Sequence, residues 1–143
     1  MSPYDFTNAL VAIDGSDDSA KALDCALSIA SALGAKLTVL AIEGKLPAYA
    51  ASLGEVDEVK REKDEFFSRV LADAERQAAE RGVNVRTELL PGHSADVILQ
   101  YAAAHSHDLI VIAHHEHFLG DVLLGSTADR VAHHTQCPVM VVR

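Results

Sequence analysis

The chain has 143 residues, of which 49% are apolar and 23% charged, and its formal net charge is −9. A chain of this length can bury a sufficient core without disulfides or metals, so we expect one domain spanning residues 1–143. The acidic balance disfavours binding to nucleic acid or to anionic membranes, and no apolar run approaches the ~20 residues that a membrane-spanning helix needs.

The two cysteines, Cys25 and Cys137, fall at positions predicted to lie in the core. We interpret them as structural thiols in a reducing compartment rather than as a disulfide. The first residues carry neither a basic segment nor a long apolar run, so they do not resemble a signal peptide. These features together predict a cytoplasmic protein.

The first third of the chain reads as a strand–helix–strand unit. The apolar run Ala9–Ile13 predicts a strand, and the cluster Asp14–Asp17 predicts a turn that leads into a helix. Apolar residues then recur with the 3.6-residue period of a helix as far as Leu33, and Gly34 ends it. Lys36–Ile42 is the second predicted strand, so we expect a right-handed unit with parallel strands.

Further alternation of helices and strands follows a predicted loop, Glu43–Gly54. Phe66 is assigned to the buried face of the helix after this loop. The pattern predicts an α/β, doubly wound domain with about four helices and a five-stranded parallel sheet. The later predicted elements are a helix Val56–Arg81, a strand Val83–Leu90, a helix capped by Ser94, a strand Leu109–Ala113, a helix opened by Gly125-Ser126 and a strand Pro138–Val142.

A candidate ligand site follows from this architecture. In open parallel sheets, ligands bind beyond the carboxyl ends of the strands, at the point where the strand order reverses. The segment Gly125-Ser126-Thr127, at a helix start, presents main-chain N–H groups suited to phosphate, although an ordinary capped helix would look the same. If the first and fourth strands are neighbours, the residues that meet there are Ala12, Ile13, Asp14, Ile42 and the connection from Ala113 to Thr127.

Three stretches of the chain, residues 11–42, 92–113 and 123–142, resemble the universal stress protein family in order and spacing. The resemblance covers nearly the whole chain and is weakest across the loop Glu43–Gly54. It implies the strand order 3-2-1-4-5 and, usually, a homodimer. We expect the dimer to form through Pro138–Val142, because an apolar edge strand must be paired or covered.

The family's phosphate-binding motif is incomplete in this chain. Many members bind ATP through G-x-x-G-x9-G-[ST], of which only the final Gly-Ser pair is present. Ile112 and His115 stand at the earlier glycine positions in an ungapped alignment, and Ala113 and Glu116 stand there if one residue is deleted. Glycines let the main chain close on phosphates, and a carboxylate at Glu116 would repel them. In this respect the chain resembles the A-type branch, which is regarded as not binding ATP.

The adenosine end of the family's site is better matched. Asp14 corresponds to the acidic residue near adenine and ribose, and Ile42 to an apolar contact with adenine. Asp14 would serve equally well as a plain turn residue at the helix entry. Because Glu116 would face the phosphate end of the site, we expect AMP or ADP rather than ATP if a nucleotide is bound.

Two functions stay open at this point. One is a homodimeric stress-response protein that acts by binding and has a degenerate adenine-nucleotide site. The other is a regulatory module that binds AMP, ADP or ATP and switches a protein partner. A weak ATP hydrolase is less favoured because the chain has no G-x-S-x-G elbow and no base arranged beside its cysteines. The stretch His114–His117 lacks the spacing of a known zinc signature, so no metal is expected.

Overall fold

A computed structural model describes residues 2, 4–43, 53–114 and 127–143, without the side chains of residues 53–56. Within these ranges the chain forms five strands and four helices that alternate along the sequence. The elements are β1 (Asn8–Ile13), α1 (Asp17–Leu33), β2 (Lys36–Glu43), α2 (Leu53–Glu80), β3 (Val85–Pro91), α3 (Ser94–Ala104), β4 (Leu109–Ala113), α4 (Thr127–His134) and β5 (Val139–Val142).

The described strands form one parallel sheet in the order β3-β2-β1-β4-β5, which confirms the expected fold. Ala9 of β1 pairs with Leu37 of β2 on one side and with Leu109 of β4 on the other. Thus β2 and β3 lie in succession on one side of β1, and β4 and β5 lie in succession on its other side. The reversal of strand order lies between β1 and β4.

Helices cover both faces of the sheet. On one face, α1 and α2 pack against alternate strand residues such as Val11 and Val39, and on the other, α3 and α4 pack against Leu10 and Leu40. All five residues of β4 are buried, as a continuously apolar strand inside a parallel sheet should be. The two layers therefore share β1 and β4 as their common centre.

One helix start differs from its sequence assignment. Ser94 is the first residue of α3 rather than its cap, since the residue at the cap position is His93 and makes no side-chain capping bond. In α1 the cap is Ser16, whose hydroxyl accepts a hydrogen bond from the Ser19 main-chain N–H at 3.1 Å. The predicted opening of α4 at Gly125-Ser126 lies outside the described residues.

The assignment of Phe66 to the core was wrong. Its neighbour Phe67 is 8% exposed and packs in the core, whereas Phe66 is 41% exposed. Phe66 instead covers Gly15, at which an added Cβ would lie 2.5 Å from the Phe66 ring. Two adjacent residues are about 100° apart around a helix, so only one of them can face the sheet.

Other predicted core positions prove to be less buried. Leu33, the last residue of α1, is 54% exposed. Cys25 and Cys137 are free thiols that are only partly buried. The Cys25 sulfur contacts the Met140 sulfur at 3.5 Å, so this thiol lies beside the edge strand β5 rather than inside the core.

Candidate functional site

A pocket of about 90 Å³ opens at the carboxyl ends of β1 and β4, where the strand order reverses. Parallel neighbours whose helices leave toward opposite faces create a crevice at this point. The pocket is lined by Ala12, Ile13, Asp14, Ser19, Ile42, Ser94, Ile98, Ile112, Ala113 and Thr127.

The interior of the pocket is apolar. Ile42, Ile98 and Ile112 are at most 9% exposed and come from β2, α3 and β4. Ala12 is the penultimate residue of β1 and Ala113 is the last residue of β4, and their small side chains leave room between the isoleucines. Such a space suits a flat, largely apolar group, for example a heterocyclic ring.

The turn after β1 holds the carboxylate of Asp14 at the rim. Its Oδ1 accepts a hydrogen bond from the Ser16 main-chain N–H at 2.9 Å, and its own N–H donates to the Ser19 hydroxyl at 3.2 Å. Ser19 is 3% exposed and donates in turn to the Ser16 carbonyl oxygen at 3.1 Å. These local bonds fix the direction of the exposed Asp14 side chain.

Two further hydroxyls reach the pocket from the first residues of helices. Ser94 begins α3 and Thr127 is the first described residue of α4, and both are half-buried. The first turn of a helix carries main-chain N–H groups and a partial positive charge. This side of the pocket therefore favours an electron-rich or anionic group.

The pocket brings together many of the residues expected from the sequence. The predicted residues that line it are Ala12, Ile13, Asp14, Ile42, Ile112, Ala113 and Thr127. The other four predicted residues, His115, Glu116, Gly125 and Ser126, lie outside the described residues.

Sequence reasoning missed Ser19, Ser94 and Ile98. Ser94 follows Gly92, whose φ of +130° suits glycine at a sharp turn from the β3 edge into α3. That turn was a usable signal, because it brings the start of α3 to the same edge of the sheet as the end of β1. Ile98 then follows one helical turn after Ser94.

Of the histidine stretch after β4, only the first residue, His114, is among the described residues. The His114 main-chain N–H donates to the Val142 carbonyl oxygen at 2.8 Å and so continues the pairing of β4 with β5. In the described part of the chain, no group of three or more His, Cys, Asp or Glu side chains is placed to hold a metal ion. None of the helices in the described ranges has the length and apolar character needed to cross a membrane.

Comparisons with known proteins agree with this architecture. A family model described as the universal stress protein family matches residues 5–143. Universal stress protein YxiE of Bacillus subtilis is 35% identical, over 96% of this chain and 99% of that protein. The structure of universal stress protein UspA from Lactobacillus plantarum is 28% identical with a TM-score of 0.84, over 96% of this chain and 98% of that one. A universal stress protein solved in complex with cAMP is 25% identical with a TM-score of 0.77, over 96% of this chain and 97% of that one.

Proposed function

The chain belongs to the universal stress protein family, and we propose that it is a stress-response protein which acts by binding an adenine nucleotide at the carboxyl edge of its sheet. The observation that carries this proposal is the pocket between β1 and β4, with an apolar interior and a carboxylate at its rim. The structural relative solved with cAMP supports the same class of ligand.

In the proposed complex the adenine ring lies among Ile42, Ile98 and Ile112, which exclude water from its faces. The Asp14 carboxylate accepts hydrogen bonds from ribose hydroxyls, as a carboxylate near a ribose commonly does. The phosphate group points toward Thr127 at the start of α4, where main-chain N–H groups favour an anion. The adenosine part therefore supplies most of the affinity.

We propose AMP or ADP rather than ATP as the preferred ligand. The sequence lacks the two earlier glycines of the family's phosphate motif and carries Glu116 near its position. Each added phosphate brings negative charge toward that carboxylate, and like charges ~4 Å apart cost about 4 kcal/mol at an effective dielectric constant near 20. Affinity should fall from AMP to ATP.

Titration calorimetry with adenosine, AMP and ATP tests the proposal. We expect saturable binding of AMP and adenosine and weaker binding of ATP. Ala12→Leu fills the pocket and should weaken AMP at least ~10-fold, because a pocket of this size has no room for three more carbons. Ala32→Leu, on the exposed side of α1, is the matched control and should bind AMP like the wild type. Absence of AMP binding, or equal losses in both variants, would contradict the proposal.

Glu116→Gly tests the proposed repulsion between Glu116 and the phosphates separately from the binding of adenosine. The change removes one negative charge and restores a glycine at a position where the family motif has one, so ATP binding should strengthen while adenosine binding stays constant. Equal gains for the two ligands in calorimetry would remove the support for charge repulsion. Submicromolar ATP binding by the unmodified protein would show that the degenerate motif still works.

The proposed role is regulation through binding rather than catalysis, with a protein partner as the target of the switch. The Ser19 hydroxyl donates to the Ser16 carbonyl oxygen and not to a general base, which supports a role in binding. We propose the cytoplasm as the location, because free Cys25 and Cys137 thiols fit a reducing compartment.

We also propose that the protein is a homodimer paired through β5. Met140 and Val141 of this strand are 38% and 40% exposed, and an apolar strand at a sheet edge requires a partner or a cover. Light scattering at micromolar concentration should give a dimer mass, and Val141→Lys should give a monomer. Thr87→Lys on the opposite edge strand, β3, is the control and should stay dimeric. A monomer in the wild type would overturn this assignment.

A further inference from the structure

A second and larger cleft, of about 320 Å³, lies at the amino-terminal edge of the sheet, at the opposite end of the strands from the nucleotide pocket. The starts of β1, β2 and β3 form one side of it, and the last turn of α3 with the segment after it forms the other. Its volume is within the ~300–1,000 Å³ that small-molecule sites usually occupy. The cleft is therefore large enough to bind a small molecule separately from the nucleotide pocket.

Two cations line this cleft in a protein whose formal net charge is −9. Arg86 pairs with Glu88, with 3.0 Å between Nη2 and Oε1. Within the described residues, no carboxylate forms an ion pair with the Lys36 ammonium, which stands at the first residue of β2. The Lys36 charge is therefore available to an anion, and the planar guanidinium of Arg86 lies on the same cleft.

One wall of the cleft is built from aromatic rings that pack against one another at tilted angles. The centroids of Tyr101 and His105 are 4.1 Å apart with 36° between their planes, and His107 lies 5.7 Å from Tyr101. Tyr101 is 9% exposed, so the accessible ring of this wall is that of His105, and such a ring favours contact with another aromatic group. The cleft thus combines an aromatic wall with positive charge.

His107 adds to the cleft a buried ring of which only one nitrogen has a hydrogen-bond partner among the described residues. It is 8% exposed, and its Nε2 meets the Thr38 hydroxyl oxygen at 3.1 Å. Its Nδ1 is buried without a hydrogen-bond partner among the described residues. Burial lowers the pKa of His107, and the Ala102 carbonyl oxygen, which accepts a hydrogen bond from the His107 main-chain N–H at 2.9 Å, opposes that shift. An unpaired buried polar atom is costly, and a ligand or water could satisfy it.

We propose that this cleft is a second ligand site, which takes a small aromatic carboxylate. The carboxylate lies between Lys36 and Arg86, and the ring lies against the exposed His105, which packs on Tyr101. The site uses none of the residues that line the nucleotide pocket, so the two ligands bind independently.

Benzoate is a suitable probe, followed by two-dimensional ¹H–¹⁵N NMR of the full chain. We expect saturable shifts of the amides of Lys36, Tyr101 and His105 and none at Ala12 or Ile112. Lys36→Gln should weaken benzoate about five- to tenfold, since it removes one charged hydrogen-bond donor. Lys21→Gln is the matched control, because it makes the same change on the exposed face of α1 and should leave the affinity unchanged.

Two chemical controls separate the parts of the ligand. Benzamide keeps the ring and removes the charge, and acetate keeps the charge and removes the ring, so both should bind at least about fivefold more weakly than benzoate. The proposal fails if benzoate gives no saturable shifts, if acetate binds as well, or if Lys21→Gln weakens binding as much as Lys36→Gln. AMP titrated in the same way reports on the nucleotide pocket alone, so failure there is distinguishable from failure here.

Discussion

The two ends of the parallel sheet are held together in different ways. At the amino-terminal end, side chains bond across elements that are about 100 residues apart in the chain: the Asp108 carboxylate accepts from the Thr7 N–H at 2.8 Å, the Thr7 hydroxyl at 3.1 Å and the Asn8 N–H at 3.1 Å. At the carboxyl end, hydrogen bonds join Asp14 to Ser16 and Ser19, and Ser16 to Ser19, over five residues or fewer along the chain.

This difference explains where a pocket can open between β1 and β4. Asp108 fastens the start of β4 to the start of β1, whereas at the other end the turn after β1 satisfies its own polar groups. The described pairing of β1 with β4 ends at Val11 and Val111, short of the carboxyl ends of both strands. Packing of Phe66 on Gly15 keeps that turn in place instead.

The largest effect is expected for Gly15→Ala. Gly15 has a φ of +85°, and a Cβ there would meet the Phe66 ring at 2.5 Å, so strain and overlap should lower the free energy of unfolding by about 2–4 kcal/mol. Gly34→Ala, with a φ of +68° and open space around it, is the control and should cost only about 1 kcal/mol. Urea unfolding measures both, and equal losses would mean that the Phe66 contact does not hold the turn.

A smaller loss is expected for Asp108→Ala at the amino-terminal end. Three hydrogen bonds to Thr7 and Asn8 disappear, and partial exposure to water limits the cost to about 1–2 kcal/mol. Asp96→Ala breaks an exposed ion pair with Arg130 and should change the stability by less than about 0.5 kcal/mol. Hydrogen exchange should show faster opening at the start of β1 in the Asp108 variant alone, and its absence would remove the proposed fastening.

The smallest effect concerns acid sensitivity of the amino-terminal end. Burial lowers the pKa of His107, His105 adds to this, and the Ala102 carbonyl and Asp108 oppose it. Because the folded state then binds fewer protons than the unfolded state, stability is full above the ordinary histidine pKa near 6.5 and declines as the pH falls below it. Unfolding in urea at several pH values between neutral and mildly acidic measures this slope.

A paired replacement isolates the His107 contribution. The variant His107→Phe with Thr38→Val removes both partners of the buried hydrogen bond, so the decline below neutral pH should become shallower. His133→Gln removes an exposed histidine in the last turn of α4 and should leave the slope unchanged. An unchanged slope in the double variant would assign the acid sensitivity to other groups.

Residues at strand ends were the most predictable part of the site. Asp14 directly follows an apolar run, and Ile42 ends one. Parallel strands bring such positions to one edge of the sheet, whatever the details of side-chain packing. The continuously apolar Leu109–Ala113 likewise allowed only a central strand, and the structure has those bounds.

The parts that escaped prediction depend on contacts between distant segments. The choice between Phe66 and Phe67 rests on Gly15, about 50 residues earlier, which no local period can reveal. The amino-terminal cleft joins Lys36, Arg86 and His105, which share no motif and meet only through the strand order. Rotation of α3 about its axis decides that Ile98 reaches the pocket, and amphipathic spacing sets that angle only coarsely.

The pairing of Ala9 with Leu109 also has a consequence for how the protein is made. During synthesis, β1, β2 and β3 leave the ribosome well before β4, and a contact across about 100 residues forms late because a long loop must close first. Until then, the β1 edge that β4 will cover is open, and one wall of the pocket does not exist. The pocket is therefore a property of the completed chain, and a fragment that stops before β4 would expose an apolar strand edge without gaining a binding site.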